Sequence, residues 1–179
     1  MKNQIFKIVM IVLAIISFSC STEDGKDGEQ GPAGTANVMY SNWMNQNWNE
    51  VDIPTAKSMS VAEPRVNIEF FNNGGLVLGF FKSYESTINT LPFQENIYKN
   101  ERTIIVGTNS SSLRVVLFTL QSTDGTTLTN AEINGSTATY NPQYRYVLIP
   151  GGVNISGKSP TDYKKMSYKE ICELFNIPE

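Results

Sequence analysis

The spacing that first suggests chemistry is Gly152-Val-Asn-Ile-Ser-Gly-Lys-Ser159, which satisfies the Walker A pattern of a phosphate-binding loop and follows an apparent strand over 144–149. Such a loop works because it opens a helix whose free N–H groups face the phosphates, inside a parallel sheet that also supplies an acidic magnesium ligand. Here Pro160 follows at once, twenty residues remain after Ser159, and no βαβ unit surrounds the stretch. The sequence reads it as a Gly/Ser loop joining the last strand to a terminal helix, with no nucleotide partner.

Other reactive side chains are few. The chain has no histidine, and its two cysteines are Cys20 and Cys172, so zinc sites and histidine-based triads are excluded. Paired carboxylates could hydrolyse a glycosidic bond, and Glu63, Glu69, Asp124 and Glu132 are present, but nothing in their spacing pairs them. Glu69 is expected on a solvated strand face. No Asp-x-Asp-x-Asp calcium loop occurs, and no metal or other cofactor is expected. The expectation is therefore a protein that is not an enzyme.

The remaining concentration of special residues is Tyr40-Ser-Asn-Trp43-Met-Asn-Gln-Asn-Trp48, which holds both tryptophans. Flat aromatic faces beside amides suit sugar rings, which makes Tyr40, Trp43 and Trp48 candidate glycan contacts. The competing reading is a first strand that lays Trp43 into the core, because large aromatics are normally buried. Tyr140, Tyr144 and Tyr146 either extend such a surface or form the outer face of an edge strand.

The amino end positions all of this. Lys2 and Lys7 flank an uncharged run, Ile8 to Phe18, of 11 residues. A membrane-spanning helix needs about 20 residues, whereas the core of a signal peptide has this shorter length. Ser17-Phe18-Ser19 precedes Cys20 at the position where a bacterial lipoprotein is cut and acylated, although bulky Phe18 departs from the commoner Leu-Ala-Gly form. The alternative is an ordinary signal peptide with an incidental cysteine. Acylation at Cys20 makes residues 1–19 a signal peptide and gives stable anchoring, since each buried methylene contributes about 0.8 kcal/mol. Ser21 stands where an inner-membrane retention signal of the enterobacterial type has aspartate, and Glu23-Asp24 follow as an acidic pair.

Gly25-Lys-Asp, Gly28-Glu-Gln, Gly31-Pro-Ala and Gly34-Thr-Ala then keep glycine at every third position, the spacing of a collagen triple helix. So few triplets cannot hold three chains together unaided. Residues 20–36 are thus expected to be a lipidated cysteine, an acidic pair that resembles the surface-export signal of Bacteroidota lipoproteins, and a disordered, extended tether that could lift a domain by roughly 37 Å. A trimer requires that the globular domain itself trimerise.

Residues 37–179 have room for one domain, and a 40% hydrophobic chain can supply its core. A net charge of −3 argues against nucleic acid or anionic lipid as a partner. With Cys20 acylated no intrachain disulfide forms, which leaves Cys172 as a small buried hydrophobe. The periodicity is mainly that of strands. Val66, Ile68 and Phe70 alternate, as do Leu76, Leu78 and Phe80, and Asn72-Asn-Gly-Gly75 between them predicts a β-hairpin with a three-residue loop and Gly74 left-handed. Leu113 to Leu120 reads as a central strand covered on two faces. Asp124-Gly125 and Asn134-Gly135 signal tight turns, and Tyr144 to Ile149 is the last long strand. Ser167 and Glu170 make a capping box for a terminal helix, with Met166 and Ile171 as a hydrophobic staple. Ile171, Leu174 and Phe175 share one face, and Asn176 and Pro178 stop the helix. The expected fold is all-β, an antiparallel β-sandwich with the jelly roll as one form of it, carrying one short C-terminal helix.

The lipobox, acidic pair and Gly-X-Y repeats are followed by Thr35-Ala-Asn-Val-Met-Tyr-Ser-Asn-Trp43, by Tyr144-Arg-Tyr-Val-Leu-Ile-Pro-Gly-Gly152 and by Asp162-Tyr-Lys-Lys-Met-Ser-Tyr-Lys-Glu170. This order resembles collagen-repeat-bearing surface lipoproteins of Bacteroidota. The resemblance implies a shared architecture and the outer leaflet of the cell outer membrane, and it carries no activity or site residues. The expectation is a lipid-anchored, surface-exposed binding or structural module without catalysis, whose partner beyond the membrane is a glycan or another surface protein. Polysaccharide capture is the narrower alternative, and a carboxylate-dependent glycosidase is the competing class.

Overall fold

The computed structural model describes residues 37–84, 87–96, 98–108, 114–135, 142–152 and 157–179. The signal peptide, Cys20, the acidic pair and the Gly-X-Y repeats lie outside them, as do Leu113 and Tyr140. Ten strands occur among the described residues: β1 (Met39–Tyr40), β2 (Met44–Asn45), β3 (Val51–Ile53), β4 (Ala56–Ala62), β5 (Leu76–Tyr84), β6 (Thr87–Thr90), β7 (Phe93–Glu95), β8 (Asn100–Thr108), β9 (Arg114–Ser122) and β10 (Gln143–Ile149). They form two antiparallel sheets of five strands. The first has the order β1-β10-β5-β6 with β2 also on β10, and the second has the order β3-β4-β9-β8-β7. The chain passes from β6 to β7, and so between sheets, through a cis Leu91–Pro92 peptide.

The sheets face each other, as a sandwich requires. Met59, Val116 and Phe118 of the second sheet share a core with Phe81, Tyr144, Tyr146 and Leu148 of the first. A second core lies on the opposite face of the first sheet. There Leu76, Leu78, Phe80, Val147 and Ile149 meet Tyr163 of α3 (Pro160–Tyr163), Tyr168, Ile171 and Cys172 of α4 (Tyr168–Phe175), and Ile177. The period of two along a strand makes this possible, since alternate residues of β5 and β10 feed the two cores. Strand β10 is therefore buried on both faces. That differs from the expectation for 113–120: β9 is central in its sheet, but its outward Leu117 and Thr119 remain half-exposed.

Helix α4 follows its local signals. The Ser167 hydroxyl accepts from the Glu170 N–H at 3.3 Å, and the Glu170 carboxylate accepts from the Ser167 N–H at 2.8 Å. Asn176, left-handed at φ 53°, closes the helix. Met166 and Ile171 share the helix-side core.

Two sequence expectations are overturned. The stretch read as the first strand of a hairpin is instead α1 (Ile68–Asn72). The Asn67 side chain accepts from the Phe70 N–H at 2.9 Å and starts the helix, a strong N-cap that outweighs three alternating apolar residues. Val66 and Phe70, four apart, turn toward the inter-sheet core, while Ile68 stays 70% exposed and Glu69 is exposed on the helix rather than on a strand. Gly74 is left-handed at φ 82°, but it follows a helix end instead of making a hairpin bulge. The loop after α1 then meets the turn after β10: a Cβ on Gly151 would fall 1.3 Å from the Asn73 carbonyl oxygen, so only glycine fits there. Likewise Asn134-Gly135, expected to mark a tight turn, closes a further short helix, so the described residues carry four short helices where a single C-terminal one was expected. That further helix is α2 (Asn130–Asn134), where the Gly135 N–H donates to the Ala131 carbonyl at 2.8 Å.

The helix layer carries stability, and α1 contributes little through its outward side chain. Ile171→Ala should cost about 2–5 kcal/mol, because Ile171 is fully buried in a two-sided core. Ile68→Ala should change stability by less than about 0.5 kcal/mol, where a buried strand residue would cost several times more. Denaturant melts of both variants check the pair.

Candidate functional site

The aromatic strip divides between the two faces of the first sheet. Tyr40 pairs with Val147 and so lies on the helix-side face, where Trp43 also packs. Met39 and Met44 take the opposite parity, and Trp48 joins them against the inter-sheet core. The structure thus brings Tyr40 and Trp43 together and separates Trp48. Trp48 meets the Tyr144 ring edge-on at 6.1 Å. Tyr144 and Tyr146 are buried, and neither forms an outer edge surface.

Tyr40 and Trp43 are gathered by Arg145, which the sequence reading did not single out. Its guanidinium carbon lies 4.8 Å from the Tyr40 ring centre, 5.8 Å from that of Trp43 and 5.7 Å from that of Tyr168. Its Nε donates to the Ser41 carbonyl at 2.8 Å, and its Nη1 donates to the Pro178 carbonyl at 2.8 Å and to the Tyr168 hydroxyl. Burial pushes the Tyr168 hydroxyl up to about 12, and a hydrogen bond with Cys172 adds to the shift, so the ring stays neutral beside the cation. The Lys82 ammonium sits 4.4 Å above the Trp43 ring. Beside these, Gln143 donates to the Asn45 side-chain oxygen at 2.9 Å. Tyr40 keeps 40% of its surface exposed and Asn45 is exposed, so the open end of this face presents an aromatic ring, amides and a lysine. Cation-on-ring contacts contribute about 0.5–1 kcal/mol at exposed sites and more when desolvated. The available clue was the charged Arg145 inside an otherwise apolar strand.

The four carboxylates have structural tasks or stand apart. Buried Glu63 accepts from Arg65 Nε and Nη2 at 2.6 and 2.5 Å and from the Tyr146 hydroxyl at 2.6 Å. The Arg65 hydrogen bonds hold its pKa below the usual carboxylate range against the opposing effect of burial, while burial together with Glu63 pushes Tyr146 up to about 12. Glu132 closes a capping box with Thr129. Asp124 accepts from Thr126 and Ser122 and pairs with Lys99 at 3.2 Å. Among the described residues no group of three or more His, Cys, Asp or Glu side chains is placed to hold a metal ion.

The Walker-like stretch takes a different geometry from a phosphate loop. Its residues 153–156 lie outside the described segments. Ser159 opens α3, a single turn whose first residue is Pro160, which has no N–H to offer. Both the Ser159 N–H and its hydroxyl donate to the Asp162 carboxylate at 2.7 Å. Lys158, Ser159 and Tyr163 instead line one side of a cavity of about 200 Å³, with Gly74, Leu76 and Ile149 on the other. Comparisons with protein-family models, curated proteins and solved structures found no match.

The Glu63 cluster makes stability depend on pH. A folded-state pKa below the unfolded value of about 4.3 means that the contribution is complete above that value and is lost as pH falls through the lower folded value. Glu63→Gln should destabilise the domain by roughly 1–3 kcal/mol at neutral pH, with Arg65 half-exposed and partly screened. The gap to wild type should close below about pH 4, as read from paired thermal melts. A gap that stays constant from neutral to acid pH would show that the carboxylate charge contributes nothing.

Proposed function

We propose that this chain is a lipid-anchored module displayed on the outer face of the cell outer membrane, which binds or supports other surface components and performs no catalysis. The observation that carries the reading is the order of parts: a short apolar run ending at Ser19-Cys20, the acidic Glu23-Asp24, a glycine-every-third tether, and then a domain of two facing β-sheets. The capping, pairing and hydrogen-bonding tasks of Glu63, Asp124 and Glu132 favour binding over a carboxylate-dependent glycosidase. We read the domain as a sandwich of meanders with the long-range pairings β1–β10, β10–β5 and β4–β9, rather than a full jelly roll.

A second reading, glycan capture, rests on the exposed ring of Tyr40 and the Asn45–Gln143 amide pair, which share one face of the first sheet four residues apart along β10, so that an extended glycan could stack at one and hydrogen-bond at the other. Trp48 has no part in that face.

Cys20→Ser should move the protein out of the membrane fraction, because acyl chains are the anchor that this reading provides. Detergent phase partitioning decides it, and a serine variant that partitions like wild type overturns the lipoprotein reading. A glycan array tests the second reading: Tyr40→Ala should weaken any binding by about tenfold or more, the equivalent of about 1.4 kcal/mol.

A further inference from the structure

Five buried side-chain nitrogen and oxygen atoms among the described residues have no hydrogen-bond partner: Gln46 Oε1, Trp48 Nε1, Asn100 Oδ1, Asn100 Nδ2 and Arg102 Nε. Buried polar atoms are nearly always paired, so a concentration of orphans requires a cause. These five are not scattered. Gln46 and Trp48 stand two residues apart on the segment after β2, and Asn100 and Arg102 stand two apart on the inward face of β8. Both pairs reach the same two bodies, Tyr144 and helix α2. Trp48 lies edge-on to Tyr144, and Arg102 donates to the Tyr144 hydroxyl. Gln46 donates to Asn134 of α2, and Arg102 Nη2 donates to the Glu132 carbonyl of α2. Asn100 is fully buried beside the Glu132 carboxylate, where its amide helps hold the Glu132 pKa below the usual carboxylate range without making a hydrogen bond of regular geometry. The five atoms therefore border one region between the sheets, at the end that α2 covers.

Local adjustment does not relieve them. Exchanging the oxygen and nitrogen of Asn100 brings no relief, since it would turn the amide oxygen toward the Glu132 carboxylate that the amide nitrogen now favours. Arg102, 2% exposed, lies over the Phe81 ring at 4.1 Å, and turning its Nε elsewhere would give up its bonds to Tyr144 and Glu132. The site chemistry is mixed. Trp48, Asn100 and Arg102 offer N–H donors, while Gln46 and Asn100 offer acceptors. A cation and a carboxylate, Arg102 and Glu132, flank the region, so it favours no ionic guest. The most compact uncharged group that both donates and accepts from a single atom is a hydroxyl.

We infer that the region beneath α2 is an internal site for a neutral hydroxyl-bearing ligand, held by Trp48, Asn100, Arg102 and Gln46. The hydroxyl comes either from a bound water, which typically makes about three hydrogen bonds in such a place, or from a small polyol or sugar. This inference is independent of the Tyr40 face.

With only two tryptophans in the chain, Trp48→Phe assigns the Trp48 indole N–H in a nitrogen-15 spectrum of the full chain in detergent micelles, and the Trp43 indole serves as the folding control. The Trp48 indole N–H should show magnetisation transfer to a bound water, and Asn100→Leu should abolish it while the Trp43 resonance stays in place. If Asn100→Leu unfolds the domain, Gln46→Met on the half-exposed segment gives the same reading. Titration with glycerol and then glucose separates the two sources. A saturable shift of the Trp48 resonance with loss of the water transfer assigns a polyol, and water transfer without a shift assigns water. An indole N–H that contacts neither, or a water contact that survives removal of Asn100 or Gln46, overturns the site.

Discussion

Strand β10 is covered on both faces, yet it carries Tyr144, Arg145 and Tyr146 in succession. In such a strand every side-chain polar group must find its partner inside the protein, and an unpaired one costs about 1–3 kcal/mol, more for a charge. Each of the three is met from a different part of the chain. Tyr144 receives Arg102 of β8, Tyr146 donates to Glu63 beyond β4, and Arg145 is bound by Ser41, Tyr168 and Pro178. Alternation sends the two tyrosines between the sheets and the arginine under the helices. One strand thereby ties together the second sheet, the first segment of the domain and its last helix.

The same constraint explains why the surface candidates are not free ornaments. Trp43 and Tyr40 shield the buried guanidinium of Arg145, which pairs with no carboxylate of the described residues and is met by two carbonyls, a hydroxyl and three aromatic faces. A ring in that role is held in place by the cation it covers, so its orientation is set by the packing of the first sheet. At the other end of the inter-sheet core, Tyr144 and Arg102 pack beside side chains whose hydrogen-bonding capacity the protein leaves incomplete. The two ends differ physically: around Arg145 the donors are largely matched by protein acceptors, and around Arg102 they are not.

The two cores also divide stability between local and distant contributions. Helix α4 needs its capping box to start and the faces of β5 and β10 to hold it, because eight residues are too few for an isolated helix. Helix α1 is shorter still and is held by Asn67 at one end and by the close contact of Asn73 with Gly151 at the other.

Features governed by neighbours in the chain were legible in advance. The capping box of Ser167 and Glu170, the left-handed Gly74 and the strands β5 and β10 follow from side-chain chemistry and period within a few residues. Where two local signals competed, as at Asn67 against the alternation of Val66, Ile68 and Phe70, the cap prevailed because Val66 and Phe70 can share a helical face as readily as a strand face. The composition at the amino end, likewise local, defines the expected anchor and tether. What the chain could not reveal by itself was which faces meet. Burial of both sides of β10, the gathering of Tyr40 and Trp43 around Arg145, the removal of Trp48 to the other side and the orphaned atoms beneath α2 all depend on distant contacts such as Arg145 with Ser41, Arg102 with Tyr144 and Gln46 with Asn134, which are 104, 42 and 88 positions apart, and no local period encodes such pairings.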